Sequence, residues 1–333
     1  PTVSALTEQW NGTNWTEVAD MSEARWYNQA QDGTTSSFIV AGGFNATVTT
    51  AASEEFTLTT VVGSWSTGGD LNQAKRDIGS AGTTTAAVAF GGSTSPSANT
   101  ANTELYNGSN WTEVNNLNSA RSGLGTNGTQ TSALGYGGNV PPLSALTESW
   151  NGTNWTEVND LNTARSASTG AGADNTAAIC FGGYDTTRTE SYNGTNWTEV
   201  NDLNTGRSDL GGNGTVTSAL GYGGYSGSPS ADTEVWNGTN WTEVNNINTA
   251  RYSGGGAGAD STSALYFGGT GPPPRLANTE EWNGTNWTEV ADMNVAREDI
   301  KSGGTGTVPA ALAIGGEASP GPSAATEEWA AKV

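Results

Sequence analysis

The stretch WNGTNWTEV begins at Trp10 and recurs unchanged at Trp150, Trp236 and Trp282; with tyrosine in its first place it returns at Tyr106 (as YNGSNWTEV) and Tyr192. A chain that repeats itself builds one unit many times, so its period is the first constraint on what it folds into. The second tryptophan of the stretch serves as a ruler: Trp15, Trp65, Trp111, Trp155, Trp197, Trp241 and Trp287, seven copies at spacings of 42 to 50 residues. A period near 45 belongs to a propeller blade rather than to a short solenoid turn.

Each copy divides into four strand-like pieces, named a to d. About ten residues after the ruler comes an arginine (Arg25, Arg76, Arg121, Arg165, Arg207, Arg251, Arg297), then a run of small residues forming strand a. A turn such as QDGT, TNGT or GADN leads into strand b, an apolar run closing on Gly-Gly, as in AVAFGG or AICFGG. After a loop of variable length, Thr/Ser-Glu-x-aromatic forms strand c, and Asn-Gly-Thr-Asn turns the chain into strand d, WTEV. Asn-Gly between β-prone segments marks a tight hairpin. No piece has helical apolar spacing, so four strands per repeat predict an all-β propeller of four-stranded antiparallel blades.

Gly-Gly after an apolar strand, an aromatic, a tryptophan about five residues on and an arginine opening the next strand resemble the kelch repeat, over essentially the whole chain. The second copy departs from the pattern, because the longer FTLTTVVGSW replaces its tight Asn-Gly turn. The resemblance implies a propeller; it says little of activity, since kelch-like propellers serve as enzymes, adaptors and adhesins. Seven copies of a, b and d, with eight of c, predict one seven-bladed domain over residues 1–333. Its ring is expected to close by pairing C-terminal strands a and b with an N-terminal d, leaving one c surplus.

A residue present in every copy is read as scaffold. Glu8, Glu54, Glu104, Glu148, Glu190, Glu234, Glu280 and Glu327 stand two before the strand-c aromatic, matching the seven arginines nearly one to one. That inventory predicts a ring of partly buried ion pairs. The Asn-Gly-Thr and Asn-Trp-Thr patterns are formal glycan acceptors, but hairpin turn chemistry accounts for them.

Composition narrows function. Net charge is −21, which repels a phosphate backbone or an anionic membrane, so neither nucleic acid nor membrane insertion is expected. Thirteen tryptophans at regular intervals argue against a disordered chain. The sole cysteine, Cys180, sits in an apolar run and is expected to be a buried inert thiol. The sequence opens on Pro1, from which a processed or excerpted chain is expected. Histidine is absent, so no Ser-His-Asp triad, no Cys-His pair and no copper centre of the galactose-oxidase kind can form. No cofactor and no metal site is expected.

Recognition is expected on the face that carries the b–c loops and the d–a connections, because these segments do not repeat. Candidates there are Trp26, Tyr27, Phe44, Asp77, Tyr184, Asp185, Arg188, Asp209, Tyr225, Tyr252, Arg275, Glu298 and Asp299. Aromatics beside carboxylates suit sugar rings. Near-verbatim blades also resemble repeats in tail-fibre or appendage proteins of marine bacteriophages and in bacterial surface proteins. That resemblance implies a non-enzymatic module on a virion or cell surface, within a larger multimeric assembly, with a surface glycan, a protein receptor or other virion proteins as partners. The alternatives are a glycan-cleaving enzyme using Asp77, Asp209, Glu298 or Asp299, an intracellular adaptor, and a purely structural spacer.

Overall fold

The computed structural model describes residues 63–331 except 95–97, 142, 185, 273 and 301–303; of the first 62 residues it describes Ala5 and five strands. The chain divides into two compact units, Pro1–Val61 with Val333, and Val62–Lys332.

The larger unit is a β-propeller of six four-stranded antiparallel blades. Blade 1 comprises Gly79–Thr83, Ala86–Phe90, Thr103–Tyr106 and Trp111–Val114, in the order a, b, c, d. Blade 2 runs from Gly125–Thr129 to Trp155–Val158, blade 3 from Thr169–Asp174 to Trp197–Val200, and blade 4 from Gly211–Thr215 to Trp241–Val244. Blade 5 runs from Gly255–Asp260 to Trp287–Val290. Strands a of successive blades pack against one another, and that of blade 6 returns to that of blade 1.

Blade 6 closes the ring. Its strands Gly304–Thr307, Ala310–Ile314 and Thr326–Ala330 come from the C-terminus, and its strand d is Ser64–Thr67, with Trp329 opposite Trp65. The expected seven blades are thereby corrected to six, and the C-terminal strand c, not an N-terminal one, fills the seam. The reason lies in the degenerate second copy. In blades 1 to 5 strand c reaches its d through an Asn-Gly turn that pins the hairpin, whereas the sequence between Ser53–Thr57 and Ser64–Thr67 is longer and lacks Asn-Gly. That strand d is free to leave its own c and receive the one from the C-terminus.

The smaller unit holds the remaining repeat material. Glu8–Trp10 pairs with Trp15–Glu17, and Gln29–Thr34, Ser37–Ala41 and Ser53–Thr57 form a three-stranded sheet.

Burial in the ring follows the repeat. Strand b is buried almost throughout, whereas strand d buries its tryptophan and exposes the next Thr and Glu. The ruler tryptophan packs against the last aromatic of strand b in the preceding blade: Trp155 on Phe90 at 4.6 Å, Trp241 on Phe181 at 4.6 Å, Trp65 on Phe267 at 4.9 Å. With Trp197 on Tyr136 and Trp287 on Tyr222, such contacts fill five blade boundaries; at the boundary of blades 6 and 1, strand b ends on Ile314 and Trp111 packs in a cluster with Leu312 and Ile314.

Candidate functional site

Three backbone layers organise the face carrying the d–a and b–c connections. The first is the ion-pair layer. Arg121 donates to Glu148 Oε1 at 2.8 Å and to the carbonyls of Gly137 and Leu146, and both charged side chains are essentially inaccessible. Arg165–Glu190, Arg207–Glu234, Arg251–Glu280 and Arg297–Glu327 repeat the pair. In blade 1 the cation is Lys75, with Nζ 2.9 Å from Glu104, while Arg76 lies one position on, at the surface. An asparagine completes each set: the backbone N–H and the side-chain amide of Asn118 both donate to Glu148 Oε2, and Asn72, Asn162, Asn204, Asn248 and Asn294 do the same in their blades. Sequence reasoning missed these asparagines, although the recurring Asn three before the ring cation marks them. Of the predicted ring, Glu8 and Glu54 lie in strands of the smaller unit, and Arg25 lies outside the described residues.

The second layer joins blades. The carbonyl of Arg165 accepts from Gly138 N at 2.8 Å, and a Cβ added to Gly137, at φ +64°, would stand 2.5 Å from that same oxygen. The Gly-Gly after strand b is therefore required by close approach of the next blade. Above it runs a circle of left-handed residues: Asp77, Gly123, Ala167, Asp209, Ser253 and Asp299, at φ between 53° and 63°. Gly123 N donates to Asp77 O at 2.9 Å, Ala167 N to Gly123 O, Asp209 N to Ala167 O, Ser253 N to Asp209 O and Asp77 N to Asp299 O; Ile300 N, one residue along, bonds Ser253 O and completes the circle.

The third layer displays side chains. In each blade the residue after the ring cation pairs with the residue after Gly-Gly: Arg76 with Ser93, Ser122 with Asn139, Ser166 with Tyr184, Ser208 with Tyr225, Tyr252 with Thr270 and Glu298 with Glu317. Backbone geometry repeats in this row, whereas side-chain chemistry varies: Ser/Tyr occurs in two blades, and Arg/Ser, Ser/Asn, Tyr/Thr and Glu/Glu occur once each.

The non-repeating chemistry gathers on one side. Tyr225 and Tyr252 meet edge to face at 5.2 Å, with Tyr225 exposed. Burial, then the charge of Glu298, raises the pKa of Tyr252, with Asp209 and Tyr225 contributing further. Glu298 accepts from Thr270 Oγ1 at 2.5 Å and lies 2.9 Å from Arg275 Nε. Arg275 also bonds Glu317, which Arg76 holds from across the ring seam. Thus the structure brings Tyr225, Tyr252, Arg275 and Glu298 together, with Asp77, Asp209 and Asp299 in the adjoining circle. Glu317, Thr270 and the surface position of Arg76 were not foreseen, because their register depends on which residue opens the bridge after Gly-Gly.

The other candidates stand apart. Tyr184 is exposed on blade 3, and Arg188 pairs with Glu199 at the rim of that blade. Trp26, Tyr27, Phe44 and Asp185 lie outside the described residues. Cys180 is fully buried, and burial raises its pKa, so it stays a thiol at neutral pH. The Asn-Gly turns hold themselves through side chains: Asn151 Oδ1 accepts from the backbones of Thr153 and Asn154, and Asn154 Oδ1 accepts from Asn115 of the preceding blade. Among the described residues no group of three or more Cys, Asp or Glu is placed to hold a metal ion. No protein-family model matches the chain, and no curated protein matches it either.

Proposed function

We propose that this propeller is a non-enzymatic recognition module that binds a surface glycan on the face bearing Tyr225 and Tyr252. The observation that supports it most is the row of six backbone pairs: a repeated frame whose side chains vary around the ring and which sets the exposed Tyr225 and the half-buried Tyr252 beside Glu298 and Asp209. A ring with no other task has no need to vary that row. Aromatic faces accept the apolar face of a sugar, while carboxylates and hydroxyls accept and donate to its hydroxyl groups. The kelch-like repeat and the likeness to phage appendage and bacterial surface repeats point the same way, towards display outside the cell or on a virion. Single contacts of this size are weak, so several propellers on one particle gain strength from multivalency.

A glycan array on the purified chain tests the reading. A defined set of glycans should bind, and Tyr252→Ala or Tyr225→Ala should weaken that binding about tenfold or more, as loss of one stacking contact implies. Both variants should unfold at the wild-type temperature. Binding unaffected by either substitution, or no glycan bound at all, would overturn it in favour of a structural spacer.

A further inference from the structure

The charge around Tyr225 and Tyr252 selects among glycans. Tyr252 and Glu298 share a neighbour in Thr270. The backbones of Tyr252 and Thr270 exchange hydrogen bonds at 2.7 and 3.1 Å, and the Thr270 hydroxyl donates to Glu298 Oε2 at 2.5 Å. Tyr225 meets Tyr252 edge to face at 5.2 Å. An aromatic pair and a carboxylate are thus linked through printed-in backbone register and one hydroxyl, in neighbouring blades 4, 5 and 6.

The nearby cations do not cancel the carboxylates. Arg275 is divided between Glu298, 2.9 Å from its Nε, and Glu317, 2.8 Å from its Nη2. Arg76 is divided between Glu317 and Asp299. Two guanidiniums therefore serve three carboxylates, and Asp209, whose charge also reaches Tyr252, makes a fourth. The side chains of Glu298, Glu317 and Asp299 are 18 to 23% exposed, open to a ligand yet only partly screened by solvent. Burial does most to raise the pKa of Tyr252, and the charges of Glu298 and then Asp209 push the same way. A field that opposes a phenolate at that place favours an ammonium there.

Ligand classes separate on this charge. Uronic and sialic acids bring a carboxylate into a negative field on a chain of net charge −21, and are repelled. A neutral sugar leaves the surplus charge unanswered. A protonated amine answers it, and a tyrosine ring face attracts the same cation. Thr270 and Arg275 take one contact on each oxygen of Glu298, while an ionised carboxylate accepts about four, so acceptor capacity remains. We infer, on the footing that this face binds glycan, that its ligand is an amino sugar with a free protonated amine, seated against Tyr225 and Tyr252 with its ammonium donating to Glu298.

Calorimetric titration of the intact chain tests this with three probes of equal length: a glucosamine oligosaccharide, its fully N-acetylated counterpart and a uronic acid oligosaccharide. The free amine should bind about tenfold more tightly than the acetylated form, or better, and the uronic acid most weakly. Added sodium chloride should shrink the advantage of the amine. Glu298→Gln should bring the amine and the acetylated form towards equal affinity, with circular dichroism verifying the fold. Because that substitution also loosens Arg275, the salt series on the unaltered protein supplies an independent measurement. Equal affinity for amine and acetylated forms, tighter binding of the uronic acid, or binding confined to neutral glycans overturns the amino-sugar assignment and leaves glycan recognition standing. No oligosaccharide bound, in this set or on the array, overturns both.

Discussion

Trp65 Nε1 donates to Thr279 Oγ1 at 3.0 Å, joining strand d of blade 6 to strand c of blade 5 across 214 residues of chain. Trp111 with Thr326, Trp155 with Thr103, Trp197 with Thr147, Trp241 with Thr189 and Trp287 with Thr233 make the same bond at 3.0 to 3.1 Å. Six identical bonds close a circle, and in them the ruler tryptophan of the sequence becomes the clasp between blades. The N-terminal Trp65 and Trp111 each reach a C-terminal or late-chain partner, so the seam is held by the same chemistry as every other boundary.

Trp65→Phe and Trp241→Phe are accordingly expected to cost similar amounts. Each loses a buried hydrogen bond and leaves a threonine hydroxyl without its donor, about 1–2 kcal/mol by urea unfolding. A far larger loss at Trp65 alone would show that the seam is weaker than the other boundaries. Removing residues 326–333 should be much worse, since it takes away Glu327, the partner of Arg297, together with Trp329 opposite Trp65.

Glu234→Ala should rank among the most damaging single changes. It strips Arg207 of its carboxylate in a site where both side chains are inaccessible, and it removes the acceptor of Asn204. Leaving a buried charge uncompensated costs about 3–5 kcal/mol. Exchanging exposed Glu199 for alanine, which loses only its rim pair with Arg188, should cost under about 1 kcal/mol. Urea midpoints for the two variants measure the contrast; equal effects would contradict the buried-pair layer.

Most of the blade was legible in the sequence because its determinants are local and repeated. Alternation, Asn-Gly turns, Gly-Gly and the Glu/Arg match each specify one strand or turn. Blade number was not legible, since it depends on which strand d the last strand c finds, a choice between segments more than 250 residues apart. The sequence carried one sign of it, the missing Asn-Gly turn before Trp65. The same copy misled the reading of the cation ring: Lys75 and Arg76 are adjacent, and only their placement shows that lysine occupies the buried position. At the candidate site, Tyr225, Tyr252, Arg275 and Glu298 were found as variable positions, but their convergence was not, because pairing across the b–c and d–a connections spans neighbouring repeats.

Gly137→Ala examines the blade-to-blade approach. At φ +64° the alanine is strained, and its Cβ would fall 2.5 Å from the carbonyl of Arg165, which is backbone and yields little. A loss of about 2–4 kcal/mol follows from strain and displacement together. Gly227→Ala, at φ +92° with open space around its Cβ, incurs strain alone and should lose no more than about 1–2 kcal/mol. Similar losses at the two sites would mean that blade contact adds nothing at Gly137.

Alkaline pH should unfold the ring through its tyrosines. Burial raises the pKa of Tyr106 and Tyr266 to about 12, and raises those of Tyr136, Tyr192 and Tyr222 as well; for Tyr106 its hydrogen bond to Glu328 adds to the shift. A raised folded-state pKa means that the unfolded chain releases its phenolic protons first. The corresponding stability is intact below pH 10 and is lost as pH climbs from there towards 12, by about 1.4 kcal/mol per unit for each tyrosine in that window. Lys75 acts in the opposite sense: burial lowers its pKa, so that one group gains stability as pH rises towards 10.5. Several tyrosines outweigh one lysine, and the net slope is downward. Phenolate absorbance followed beside circular dichroism checks it: ionisation should lag the free-tyrosine curve and then coincide with loss of the sheet signal, and early, reversible ionisation with the fold intact would refute burial of these side chains.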